Sequence, residues 1–364
     1  LNNHSLLFEL QEVHFKIKNN IRFIIRKRFL PKPAKPSLRN NSQQIQILFV
    51  IFALKKNNSM SDLLVSKGIT KQFGTKVALN NFDLNIPEGS IYGLLGPNGA
   101  GKTTFLRIIN QITAADKGEI TIQGKPLDKS IIPLVGYMPE ERGLYNNMKI
   151  GEQALYFAKL KGLSTAEAHK KTKYWFEKLG IQEWWNKKLT ELSKGMGQKV
   201  QFVITVLHEP KLLIFDEPFS GFDPVNAKLI ANEIIELSKK GATIIFSTHR
   251  MESVEEMCDH IALINQSNKI LDGEINQIRH QFKSGKYFVE IDQTTKDGWS
   301  EFNSNFEVET IAETENSLSF NIRKPDDMNS NQLLEKIISL GHITQFRENI
   351  PSMNEVFIRA VSSN

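Results

Sequence analysis

Between Gly93 and Thr104 the chain reads Gly-Leu-Leu-Gly-Pro-Asn-Gly-Ala-Gly-Lys-Thr-Thr, and Gly96 to Thr103 fits G-x-x-x-x-G-K-[ST], the spacing of a phosphate-binding loop. Backbone N–H groups can converge on an anion only where no Cβ is in the way, which Gly96, Gly99 and Gly101 allow. Lys102 is placed to reach the outer phosphates of a nucleoside triphosphate, and Thr103 to offer a hydroxyl to Mg²⁺. The bare pattern arises by chance in roughly one chain in a hundred of this length at average composition. The context raises its weight: Ser90-Ile91-Tyr92 reads as a strand before it and Phe105 to Ile109 as an amphipathic helix after it, its positive end toward the phosphates.

Downstream, Leu212-Leu213-Ile214-Phe215 is an unbroken apolar run that ends in Asp216-Glu217-Pro218. Buried parallel strands look like this, and open α/β sheets bind ligands at the carboxyl ends of their strands. Asp223-Pro224 opens a helix as N-cap and first residue, with Val225, Ile230, Ile234 and Leu237 as its apolar stripe. Thr243 to Ser247 is the next strand, with His249 just beyond it. Further strands are expected at 63–65, 82–86, 91–95, 119–123 and 134–138. Between Gln153 and Val206 apolar residues recur at helical spacing, and Ala154, Tyr156, Phe157, Leu160, Tyr174, Trp175 and Leu179 are expected in the core. After about Gly273 strands are expected at 286–291, 306–311 and 318–322, with helices at 331–339 and 353–361.

The motifs form an ordered set. Leu192-Ser193-Lys194-Gly195-Met196-Gly197-Gln198 precedes the Asp216 strand, Ser220-Gly221-Phe222-Asp223 follows it, and His249 follows the next strand. Over roughly residues 62–275 this resembles the ATP-binding subunit of ABC transporters, with phosphate loop, signature sequence, Walker B, D-loop and switch histidine in order. The resemblance implies a P-loop NTPase of ABC type: a parallel sheet core, an antiparallel β subdomain and a helical subdomain, here followed by a small C-terminal α+β domain. It implies ATPase activity with ATP and Mg²⁺. Lys102 and the loop through Gly96, Pro97, Asn98, Gly99, Ala100, Gly101, Thr103 and Thr104 would hold the phosphates. Thr103 would ligate Mg²⁺ with support from Asp216, Glu217 would polarise the attacking water, and His249 would contact the γ-phosphate. Phe73 matches the aromatic that stacks on adenine. Ser193 and Gly195 would cap the ATP of an opposite subunit, so that two ATP-binding subunits meet head-to-tail, and Asp223 of the D-loop would be a further nucleotide-binding residue.

The chain departs from the family pattern twice. Glu140 stands where the family usually has Gln, and it could still offer oxygen to Mg²⁺ or water. Lys194 and Met196 replace the usual Gly and Gln of the signature. ATP binding is expected to survive, with altered hydrolysis or coupling. The run Pro-Glu-Glu-Arg-Gly-Leu-Tyr and the ending Pro-Ser-Met-Asn-Glu-Val-Phe-Ile-Arg-Ala-Val are similar to a subgroup serving ABC-2-type exporters, including bacterial sodium-efflux (Nat-type) ATPases. That implies a separate permease at the inner face of the cell membrane, docked around Glu140 to Ile150 and the helical insertion, with this subunit cytoplasmic. The rival readings are a soluble ABC ATPase of DNA repair or translation, and a regulatory module that holds ATP with little hydrolysis.

Three domains are expected: a basic extension at 1–59, an ATPase domain at 60–278 and an accessory domain at 279–364. The net charge of +6 comes from the extension, which carries eleven Lys/Arg and two Asp/Glu; the rest carries 35 basic and 38 acidic residues. The body therefore makes no electrostatic case for nucleic acid. The apolar run Ile45–Leu54 falls short of the roughly 20 residues a bilayer span needs. The extension is read as disordered or as translated upstream sequence, with Met60 as the native start. The single cysteine, Cys258, allows no internal disulfide and suits a reducing compartment.

Overall fold

The structure is a computed structural model and describes residues 61–362, apart from 142, 293–295 and 315–316. The extension at 1–59 and the start expected at Met60 lie outside the described residues.

Alternating apolar residues after Ser61 build a long hairpin of β1 (Asp62–Phe73) and β2 (Lys76–Pro87). The strands expected at 63–65 and 82–86 are stretches of these longer ones. β3 (Ile91–Leu95) is buried along its whole length and delivers the glycine loop, after which α1 (Lys102–Ile109) turns Phe105, Leu106, Ile108 and Ile109 inward. β4 (Lys117–Ile122) and β5 (Lys125–Pro126) complete an antiparallel sheet of order β2-β1-β4-β5. β6 (Val135–Met138) leads to the helical segment, α2 (Ile150–Leu160), α3 (Thr165–Lys178) and α4 (Lys194–Val206). A capping box of Ser164 and Glu167 starts α3, and Ser193 caps α4.

β7 (Leu212–Asp216), α5 (Pro224–Lys239), β8 (Thr243–Thr248), α6 (Met251–Met257), β9 (His260–Asn265), β10 (Asn268–Glu274) and α7 (Ile275–Gln281) follow. They join β3 and β6 in a sheet of order β10-β9-β3-β8-β7-β6, parallel from β6 to β9, with β10 returning antiparallel. β3, β7 and β8 are neighbours, so the segments after each emerge side by side at the carboxyl edge of the sheet. One core lies between the two sheets, where the Phe82 and Phe105 rings meet at 4.8 Å. A second fills the opposite face of the parallel sheet, under the helical segment and α5 to α7.

The C-terminal region forms a third sheet from β11 (Lys286–Asp292), α8 (Lys296–Asn305), β12 (Val308–Glu313), β13 (Ser317–Arg323), α9 (Ser330–Ile338) and β14 (His342–Glu348). Its order β12-β13-β11-β14, antiparallel throughout, is that of a ferredoxin-like split βαβ unit. Both helices cover one face, Phe302 of α8 and Leu333 of α9 joining Val289 and Phe320 in one buried cluster. The last helix, α10 (Met353–Ser362), leaves this unit and packs Met353, Val356 and Ala360 into the core of the ATP-binding region, against α6 and β10.

Some expectations shift. The strand expected from Phe306 starts at Val308, because the Phe306 ring stacks on Phe302 of α8 at 4.5 Å. Tyr156, Leu160 and Tyr174, expected in the core, stand 42%, 62% and 50% exposed, and Val225 of the expected α5 stripe is 79% exposed. Helical spacing identifies the element but does not say how much of its apolar face a neighbour covers. Among the described residues, no helix is long and apolar enough to cross a membrane.

Candidate active site

The loop after β3 is shaped by close backbone approach. A Cβ on Gly96 (φ 147°) would fall 2.1 Å from the Ile264 carbonyl oxygen, and one on Gly101 (φ 120°) 2.4 Å from that of Ala78. Both obstacles are main chain of neighbouring strands and cannot swing aside. No side chain caps α1, whose N-cap is Gly101, so its first-turn N–H groups are left for an anion. The Lys102 ammonium curls back and donates to the Gly96 and Pro97 carbonyls at 2.7 and 3.1 Å. Burial lowers its pKa, while Glu217, Asp216 and Glu140 pull it up.

A cavity of about 340 Å³ opens over the loop. Phe73, Asn98, Gly99, Gly101, Lys102, Thr103, Thr104, Glu140, Asp216 and Glu217 all line it, from four separate stretches of chain. Lys76 and Ala78 of β2 line it as well, though the motifs did not single them out. The signal for Lys76 was its hairpin register, directly opposite Phe73. Gly96, Pro97 and Ala100 do not line it; they shape the loop from behind, where two carbonyls hold Lys102 and the Ala100 N–H donates to the Pro97 carbonyl.

Asp216 ends β7, almost fully buried. One of its oxygens accepts from the Ser247 hydroxyl, and the other is buried with no hydrogen-bond partner. A buried carboxylate oxygen without a donor is costly and suits a cation. Glu217 holds a left-handed backbone (φ 49°), a strained conformation that the Ser247 carbonyl and hydroxyl fix by accepting from its N–H, each at 3.2 Å. Its carboxylate meets His249 Nδ1 at 2.9 Å. Ser247 thus positions both carboxylates; sequence reasoning missed it, and its only trace is a serine two residues before His249.

Comparison with known proteins matches this geometry. Residues 79–220 match the family model "ABC transporter", and residues 273–361 match "ATP-binding protein DrrA1-3-like, C-terminal domain". The ABC transporter ATP-binding protein YhaQ of Bacillus subtilis (strain 168) is 39% identical over 301 residues, 83% of this chain and 99% of that protein. The chain belongs to the ABC transporter ATP-binding proteins. The ABC transporter ATP-binding protein NatA of the same organism is 32% identical over 57% of this chain and 86% of its own. The Nod factor export ATP-binding protein I of Burkholderia lata is 33% identical over 57% of this chain and 69% of its own. A solved ATP-binding subunit of an ABC transporter superposes with a TM-score of 0.57 at 30% identity, over 60% of this chain and 93% of that one. The chain is accordingly a P-loop ATPase that binds ATP or ADP.

Other motif residues of this ABC subunit lie outside the cavity. Ser193 accepts from the Met196 N–H at 3.3 Å as the cap of α4. A Cβ on Gly195 would sit 3.1 Å from the Gly221 carbonyl oxygen, so the signature packs on the D-loop of its own chain. Asp223 caps α5 by accepting from the Asn226 N–H at 2.9 Å. His249 is 57% exposed and reaches the site through Glu217.

A second concavity, about 350 Å³, lies behind the Glu140 loop. Ile132, Tyr137, Leu144, Phe157, Leu160 and Ile204 make it apolar. Tyr145 and Tyr156 extend this surface, half exposed, with Tyr145 stacked on Phe157 at 5.9 Å. Buried Gln153 holds the loop by hydrogen bonds to Tyr145 and Met148. Gln201 of α4 donates to the Pro139 carbonyl at 2.9 Å, tying the segment before Glu140 to the helix that begins at the signature. Lys161 and His208 both bond the Val135 carbonyl.

Proposed function

We propose that this chain is the ATP-hydrolysing subunit of an ABC-2-type exporter, working on the cytoplasmic face of a separate permease. The observation that carries the proposal is the exposed apolar groove directly behind the Glu140 loop. One short segment, 137–145, contributes both to the nucleotide cavity and to the groove. A permease loop seated there would feel the nucleotide state through Glu140. Export, rather than another role, is supported by the Nod factor export relative and by the linearmycin resistance ATP-binding protein of Bacillus subtilis, 33% identical over 58% of this chain. The cargo, sodium or a small molecule, would be selected by the permease. The domain division at about 278 and the accessory role of the C-terminal unit belong to the same proposal.

At the nucleotide site, the loop N–H groups and Lys102 bind the phosphates, and Phe73 carries the base. Thr103, Asp216 and Glu140 would hold Mg²⁺; the buried, unpartnered Asp216 oxygen fits that duty. Bound Mg²⁺ supplies charge neutralisation across the transferring phosphoryl group. Glu217 accepts the proton of the attacking water, and His249 holds the Glu217 carboxylate in place and then turns to the γ-phosphate. Phosphoryl transfer of this loose kind needs positioned charge more than covalent help. Ser193 and Gly195, away from their own cavity, complete the site of a second ATP-binding subunit, identical or related. Co-purification from membranes tests the reading. Recovery with an integral permease, and ATPase activity altered by it, are expected; recovery with ribosomes or DNA would overturn it.

A further inference from the structure

The ladder between β1 and β4 reaches only as far as Thr70 opposite Lys117, three residues short of Phe73. Asp116 takes over there. One of its carboxylate oxygens accepts from the Gln72 N–H at 2.7 Å, and the other from the Lys71 ammonium at 2.7 Å. Its own N–H donates to the Thr70 carbonyl at 2.9 Å. The end of β1 that carries Phe73, paired with β2 on one side, is thus held on the other by one carboxylate in place of further pairing with β4. Lys71 and Phe73, two residues apart on a strand, share a face. The Lys71 ammonium lies 5.2 Å from the Phe73 ring centroid, while its side chain is only 14% exposed. The ring itself is 52% exposed and borders the nucleotide cavity.

We propose that Asp116 and Lys71 form a bracket that holds the Phe73 ring for the purine base, making Lys71 a positioning residue for nucleotide affinity. The inference rests on the reading of Phe73 as the base platform. An aromatic side chain at the end of a hairpin is otherwise free to turn about two torsions, and a bound base must first stop that motion. The cation at the ring stops it beforehand, leaving ring surface for stacking. The bracket acts on the base and leaves the phosphates to the loop and Lys102.

The test uses the full chain with two probes, Mg·ATP and Mg·tripolyphosphate, which lacks base and sugar. Lys71→Met should weaken Mg·ATP binding about threefold, the size of an exposed cation–π contact, and leave tripolyphosphate binding unchanged. Lys71→Arg should restore ATP binding, and Asp116→Asn should weaken it in the same sense. In a Phe73→Ala background, Lys71→Met should add nothing. Equal loss for both probes would make Lys71 a phosphate contact or a fold determinant and overturn the proposal. So would no effect on ATP, or the same loss with Phe73 absent. If Phe73→Ala leaves the ratio of the two affinities unchanged, the platform reading itself falls, a result distinct from failure of the bracket alone.

Discussion

The cavity over the glycine loop and the groove behind Glu140 are similar in volume, about 340 and 350 Å³, and opposite in construction. The cavity is built on main chain: glycines that cannot carry a Cβ, an uncapped helix start, and a few charged groups fixed by Ser247. The groove is built on side chains of ordinary apolar residues from four segments, the aromatic Tyr137 and Phe157 among them. An anion that recurs in every cycle demands donors at fixed positions. A partner surface demands only shape and apolar area, which many residue sets supply. Substitutions in the cavity should therefore act on chemistry, and substitutions in the groove on partnership alone.

The largest expected break is Glu217→Gln. Removing the base should lower steady-state hydrolysis by about 10²–10⁴-fold, while equilibrium ATP binding stays within a factor of a few. Parent-rate hydrolysis would take Glu217 out of the mechanism. Gly101→Ala comes next. The new Cβ meets the Ala78 carbonyl at 2.4 Å, and an overpacking cost of about 1–3 kcal/mol should appear as a loss of ATP affinity of roughly tenfold or more by calorimetry. Leu160→Asp tests the other side. It should leave the ATPase rate of the purified chain unchanged and reduce permease recovery from membranes about tenfold, as for a single anchor at an interface. A parallel fall in the isolated ATPase rate would erase the division between the two regions.

The smallest effect concerns acid. Burial, with Lys161 nearby, pushes the His208 imidazole down to about 4 from 6.5. The unfolded chain then binds a proton more readily than the folded one between those values. The contribution is complete above pH 6.5 and is lost as pH falls toward 4. Thermal melts from pH 7 to pH 5 should show Tm dropping by about 2–4 °C per kcal/mol lost, and less in His208→Gln. An equal drop in that variant would assign the acid sensitivity elsewhere.

The same contrast explains what could be read in advance. Gly96 to Thr103, Asp216, Glu217 and His249 stood out because each is the residue type that the proposed chemistry requires, at a spacing set by strand and turn. Lys76 and Ser247 did not, because a lysine across a hairpin and a serine at a strand end have many other uses. The parallel sheet followed from continuous apolar runs such as Leu212–Phe215. The C-terminal unit was harder. α8 contains Gly298 and Asn303, poor helix formers, and is held by the packing of Phe302 on Phe320 rather than by local preference. β14 carries Thr344 and Gln345 side by side, which hides its alternation. Tyr156 and Leu160 have the helical period of a core and form a surface instead.

The final helix bears on how the protein is made. Met353, Val356 and Ala360 fill the same apolar cluster as Val254 and Ile261, although about 80 residues, most of them in the third sheet and its helices, intervene between β10 and α10. At about 5–20 residues per second, a ribosome needs some 4–16 s to pass from one to the other. During that interval the sheet waits with its α6 flank bare, and that flank closes only once α10 has been made. A chain broken off before α10 therefore leaves the α6 flank of its ATP-binding core bare.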